Sequence, residues 1–172
     1  MNGATDSPLV LGIDPGLRIC GWGLVRGGPK PAYGGCGTIR PRVSESLEKR
    51  LLHLHTHISQ LIETYGPDEL AVEDPFVGAL NPASALAIGQ ARAVAMLAAA
   101  QHDIEVSLYA PAAVKTAVTG YGKGDKHQVQ TMIKILLHLD AAPEPADAAD
   151  ALAIALTHLA HRKIRALEKT IR

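Results

Sequence analysis

Four acidic residues stand where a chain could use them for chemistry: Asp14 in LGIDPG, Glu73 in LAVED, and Asp147 and Asp150 in DAADALAIALTHL. Asp147 and Asp150 are separated by one helical turn, so on a helix both project from one face. That face continues into the apolar Ala151 and Ile154. Acids in a first helical turn also complement the helix dipole, a contribution of about 0.3 to 1 kcal/mol. The dipole accounts for acids near a helix start, but not for two of them heading a core-facing stripe. Asp14 and Glu73 each close a short apolar run, at the carboxyl ends of predicted inner strands, where ligands of open α/β sheets gather. Read singly, Asp14 equally suits a side chain that hydrogen-bonds the Pro15-Gly16 turn. Read together, carboxylates drawn into a partly buried site need a compensating cation. An all-carboxylate set suits Mg²⁺ or Mn²⁺ and is poor for Zn²⁺. A pair of such ions supports phosphodiester hydrolysis, by activating a water and stabilising the leaving oxygen.

The elements that must position these acids follow from turn signals and periodicity. PLVLGID, RICGWGLVR and AYGGCGTIR are β-rich and separated by Pro-Gly or Gly-Gly, which predicts an antiparallel meander. From Ser44 the period becomes helical through Leu47, Leu51, Leu54, Ile58, Leu61 and Ile62, and Gly66-Pro67 stops it. A strand at LAVED, a small-residue helix over Pro82 to His102, and a strand at IEVSLYA follow. Helices are then predicted for Pro111 to Gly120, Lys126 to Leu139 and Ala146 to about Leu167. This order predicts a five-stranded mixed sheet with helices on both faces, which fits a ribonuclease H-like α/β fold. No internal repeat or low-complexity segment interrupts it.

With 172 residues and 47% hydrophobic content, the chain is expected to form one compact domain over residues 1–172. Only 3% of residues are aromatic, which predicts a core of small aliphatic side chains on closely approaching helices. Lys and Arg (17) balance Asp and Glu (17), and neutrality counts mildly against a phosphate-rich partner. Positive charge is local instead. Lys115, Lys123, Lys126 and Lys134 face only Asp125 across their segment, and the tail from His161 to Arg172 is basic. MNGATDSPLV does not read as a secretory leader, and no apolar stretch is expected to reach the roughly 20 residues of a membrane helix. Cys20 and Cys36 have neither metal-type nor redox-type spacing and read as free thiols of a cytoplasmic protein.

GIDPGLRICGWGLV, the acid in AVEDPF, NPASALAIGQARAVAML, YAPAAVKTAVTGYGKGDKHQVQ and DAADALAIALTH follow one another in order. Together they resemble the RuvC-type Holliday junction resolvases over about residues 9 to 160. The resemblance implies a metal-dependent DNA endonuclease of recombination and repair whose catalytic carboxylates are Asp14, Glu73, Asp147 and Asp150, with two Mg²⁺ or Mn²⁺ ions in each active site. It implies DNA contacts from Lys115 and Lys126, with Lys123 in the same basic turn, and an aromatic at Phe76 that stacks on a base near the crossover. VGALN departs from the pattern by lacking the Lys often found before that Asn. The resemblance also implies a homodimer and cooperation with a RuvA-RuvB-type branch-migration complex.

Other signals carry less. GYGKGDK lacks the G-x-x-x-x-G-K-[ST] pattern of a phosphate loop and reads as a basic turn between helices. His53, His55 and His57 have metal-like spacing but flank the Leu stripe of their helix, as partly solvated side chains do. The helix carrying Ala85, Ile88, Gly89, Ala91, Arg92, Val94, Ala95, Met96 and Ala98 is apolar over more of its circumference than one sheet contact requires, which implies a second packing surface. Two rival readings stand beside the nuclease: a non-catalytic junction-binding module of the same fold, and an actin-like phosphotransferase suggested by GIDPG. The latter fold needs two such domains, and the chain has room for one.

Overall fold

The computed structural model describes residues 7–74, 81–120 and 125–170. Three strands open the chain, β1 (Leu9–Asp14), β2 (Cys20–Arg26) and β3 (Ala32–Ile39), followed by helix α1 (Leu47–Tyr65) and strand β4 (Glu69–Glu73). Helix α2 (Pro82–Gln101), strand β5 (Glu105–Tyr109) and helices α3 (Pro111–Thr119), α4 (Lys126–Leu136) and α5 (Ala146–Thr170) complete it. The five strands form one sheet in the order β3-β2-β1-β4-β5. The opening meander is antiparallel, as its short turns require, while β4 joins β1 and β5 joins β4 in parallel through helical crossovers.

Helices cover both faces, and each side has its own apolar core. Leu11, Ile13, Leu70 and Val72 pack with Leu54, Ile58 and Ile62 of α1 and with Ala91, Ala95 and Ala98 of α2. Val10 and Ala71 pack on the other face with α3, α4 and α5, among them Val114, Ile133, Leu152 and Ile154. The helix signals act as their chemistry dictates. Gly66 ends α1 in the left-handed region, at φ 57°, and its N–H closes on the Ile62 carbonyl. Asp125 and Gln128 form a reciprocal capping box at the start of α4. Asn81 caps α2 by accepting from the Ser84 N–H.

Two features need a closer reading than periodicity provides. Helix α2 has 20 residues and is apolar enough by length and composition to cross a membrane, with 22% of its most apolar stretch buried. This corrects the expectation that no stretch reaches that length; the run of alanines escapes a search for large apolar side chains. The helix packs on α1, β4 and β5, and its Arg92 is ion-paired with Asp74. Second, α5 lies against the sheet with almost no space between backbones. A Cβ on Gly12 would sit 2.1 Å from the Ala151 carbonyl oxygen, and one on Gly23 would sit 2.8 Å from the Leu152 nitrogen. Only glycine permits this approach.

Candidate active site

Alternation along the strands decides where the acids point. In β1, Ile13 belongs to the core on the α1/α2 side, while Val10 packs on the α5 side and Gly12 meets α5. Asp14, two residues beyond Gly12, therefore faces α5. In β4, Leu70 and Val72 belong to the α1/α2 side, and Glu69 bonds to His158 of α5. Glu73 therefore faces α5 as well. Ile13 is in register with Val72 in the parallel β1/β4 pair, so Asp14 and Glu73 end adjacent strands side by side on one face. Glu73 is in turn paired with Tyr109, the last residue of β5.

Helix α5 starts directly above this edge. A Cβ built on Gly21 would lie 2.0 Å from the Asp147 carbonyl oxygen and 3.3 Å from the Asp14 Cβ. The head of α5 and the end of β1 thus meet at one glycine. Cys20, buried next to that glycine, senses both acids: burial is the main cause that pushes its thiol up to about 12, and the charges of Asp14 and Asp147 push the same way. Asp150 lies one turn further along α5, and all four carboxylates are partly exposed. Among the described residues, no three His, Cys, Asp or Glu side chains are gathered tightly enough to hold a metal ion. Asp14, Glu73 and Asp150 each have a polar or electrostatic partner. The backbone brings Asp14, Glu73 and the head of α5, which carries Asp147 and Asp150, to one end of the sheet. Their donor chemistry, carboxylate oxygen throughout with access to water, fits a hard divalent cation.

The acid that follows Glu73 has a different task. Asp74 points to the other face, where it pairs with Arg92 of α2, and its N–H donates to the Tyr109 carbonyl at 2.8 Å. A buried polar network also braces the far end of α5. His158 bonds through Nδ1 to the Tyr109 hydroxyl at 2.9 Å and through Nε2 to Glu69, and the Arg162 Nε donates to the same carboxylate at 3.3 Å. Neither group was flagged by sequence pattern, because partners 18 and 89 residues apart carry no local signature.

Of the basic residues, Lys115 is half-buried on α3, the helix that leaves the sheet at the same end as Glu73. Lys126 begins α4. Phe76 and Lys123 lie outside the described residues. The three histidines of α1 are partly solvated, as expected. His53 stacks on His57 at 4.0 Å, and His55 bonds to Gln101 at 2.6 Å.

Residues 10–158 match the crossover junction endodeoxyribonuclease RuvC family. A crossover junction endodeoxyribonuclease RuvC from Azorhizobium caulinodans is 45% identical over 161 residues, covering 93% of this chain and 94% of that protein. Its counterpart from Nitrobacter hamburgensis is 47% identical, with 97% of this chain and 98% of that one covered. Thermus thermophilus RuvC in complex with a Holliday junction substrate superimposes with a TM-score of 0.84 at 31% identity, over 91% of this chain and 96% of that one. The architecture is ribonuclease H-like, the class its mixed sheet and flanking helices define. The chain belongs to the crossover junction endodeoxyribonuclease RuvC family.

Proposed function

We propose that this chain, acting as one nuclease domain, resolves Holliday junctions by symmetric, divalent-metal-dependent hydrolysis of two strands. The observation that carries the reading is the shared face of Asp14 and Glu73 beneath the head of α5, at the point where Gly21 admits Asp147. In this reading Asp14, Glu73, Asp147 and Asp150 hold two Mg²⁺ or Mn²⁺ ions, which supply water activation and leaving-group stabilisation when bound. The four carboxylates would hold the ions at this end of the sheet and accept a hydrogen bond from the attacking water. Lys115, Lys123 and Lys126 neutralise backbone phosphates on the α3/α4 side. Phe76, two residues after the Asp74 anchor, stacks on a base at the crossover.

A two-fold substrate asks for a two-fold enzyme, and we assign the dimer surface to α2. Leu86 (64%), Leu97 (55%) and Met96 (38%) are exposed on it, an apolar surface of the kind that marks an interface. A Cβ on Gly89 would meet nothing within 4 Å among the described residues. A mid-helix glycine with no neighbour costs about 1 kcal/mol against alanine, a cost that close approach of a second copy would explain. The reading includes delivery of junctions by a RuvA-RuvB-type complex and action in the cytoplasm.

The test is cleavage of a synthetic mobile four-way junction with Mg²⁺ or Mn²⁺, mapped to the nucleotide. Asp14→Asn, Glu73→Gln and Asp150→Asn should each abolish cutting while leaving junction affinity within about threefold, because affinity comes mostly from cations on phosphate. Near-wild-type cutting by Asp14→Asn would remove the assignment. Binding without cutting by the wild type would leave only a junction-binding module.

A further inference from the structure

Beside the acids lies an open pocket of about 550 Å³ formed by four separate segments. Leu17, Arg18 and Ile19 of the β1–β2 turn make one wall, Arg50 of α1 and Ile88 of α2 make others, and Asp147 at the head of α5 stands at the margin. Arg50 braces the turn by donating from Nη2 to the Leu17 carbonyl at 2.7 Å. Its Nε is buried and has no hydrogen-bond partner among the described residues. Arg18 is exposed. The site thus combines two arginines with an aliphatic lining and one of the four acids.

We propose that this pocket holds one nucleotide of the junction strand next to the phosphodiester that is cut, an inference that rests on the resolvase reading. Guanidinium forks match phosphate oxygens in geometry and charge, and Arg18 and Arg50 both line the pocket. Phosphate alone needs cations on a surface; it does not need an aliphatic recess. Leu17, Ile19 and Ile88 suit the flat face of a base or the edge of a deoxyribose, released from its stack at the crossover. Because Asp147 borders both places, a nucleotide seated here leaves its neighbouring phosphodiester at the mouth formed by the four acids. Arg18 and Arg50 take the phosphate of that nucleotide. The pocket then selects the bond to be cut by accepting a strand that can release one nucleotide, which a continuous duplex does less readily.

The experiment uses full-length protein, Mg²⁺ and a four-way junction carrying 2-aminopurine at the nucleotide beside the mapped cut. Wild type should raise the 2-aminopurine emission on binding, as the base leaves its stack. Arg18→Ala, a change at an exposed side chain, should weaken affinity at least threefold and flatten the logarithmic salt dependence by about one ion. Ile88→Trp, which fills the recess, should slow single-turnover cleavage at least tenfold at saturating protein while junction affinity stays within threefold. If Ile88→Trp lowers the melting temperature, the wild-type emission and the Arg18→Ala salt slope still decide. No emission change, or wild-type affinity and salt slope in Arg18→Ala, overturns the pocket. A flattened slope in Arg18→Ala with wild-type cutting by a folded Ile88→Trp overturns it too, in favour of a plain phosphate contact. A wild type that cuts no junction overturns the resolvase reading itself, whereas a cutting wild type with indifferent variants overturns the pocket alone.

Discussion

Helices α5 and α2 are both rich in alanine, yet the molecule treats them in opposite ways. From Ala151 to Leu159 every residue of α5 is buried, whereas α2 leaves Leu86 and Leu97 more than half exposed. Small side chains let α5 press its backbone onto Gly12, Gly21 and Gly23, which sets how closely the head of α5 with Asp147 approaches the end of β1. On α2 the buried alanines pack on the sheet side, while Leu86, Met96 and Leu97 remain exposed. Composition alone does not separate a helix that completes a core from one that leaves its large apolar side chains exposed. The glycines opposite it do, since α5 has three in the sheet beneath it.

The contrast is broken most severely at Gly12. The methyl group of Gly12→Ala meets backbone at 2.1 Å rather than a movable side chain, so the loss should be at least about 3 kcal/mol in chemical denaturation. A variant that melts within two degrees of wild type would show that α5 can lift without cost. Leu97→Glu tests the other helix, where charge on an exposed position should leave the fold within about 0.5 kcal/mol of wild type. Sedimentation should nevertheless show dimerisation weakened by about 30-fold or more, equivalent to about 2 kcal/mol. An unchanged dimer would move the interface elsewhere.

Smaller effects probe the head of α5. Asp14 and Asp147 meet at Gly21, so in chelator at neutral pH Asp14→Asn should relieve repulsion and gain about 0.5 to 2 kcal/mol. Millimolar Mg²⁺ or Mn²⁺ should then stabilise wild type more than the variant, because an ion bound only by the folded state adds to its stability. A structural Asp14 holding the Pro15-Gly16 turn gives the reverse, a neutral or destabilised variant with no metal-dependent difference. Cys20 gives a signal confined to high pH. Its thiol is held up to about 12 from an ordinary 9.0, so between those values the unfolded chain has lost a proton that the native protein keeps. Stability should fall as pH rises through this window, by about 1 kcal/mol per unit from this group. Cys20→Ala should show a correspondingly shallower decline in denaturation midpoints from pH 9 to pH 11, and equal slopes would mean that the thiol reaches solvent.

Element order was legible in the chain because local chemistry specifies it, whereas the four acids were singled out as one set only through the resemblance to a known family. Gly66, the Asp125/Gln128 box and Asn81 act within one turn of themselves, and helical or extended periodicity needs only neighbouring residues. The pairing of β1 with β4 follows from the crossover rule once those elements are known. The face of the sheet on which Asp14 and Glu73 lie was not legible. Both faces of β1 are covered, so its run from Leu9 to Ile13 has no polar alternation to orient it. The distinct duties of Glu73 and Asp74 were hidden for the same reason, since one step along a strand reverses the side.

The sequence by itself determined the elements, the acidic residues at the ends of β1 and β4 and the start of α5, and the excess of apolar surface on α2, all of which depend on residues close together in the chain. Tertiary structure alone decided that Gly21 would receive Asp147 and that Arg92 would take Asp74. It also decided that Arg18 and Arg50 would flank one recess with Ile88. Those relations join segments up to 126 residues apart, as Gly21 and Asp147 are, and they arise only when burial of two apolar faces forces helices and strands to share one sheet.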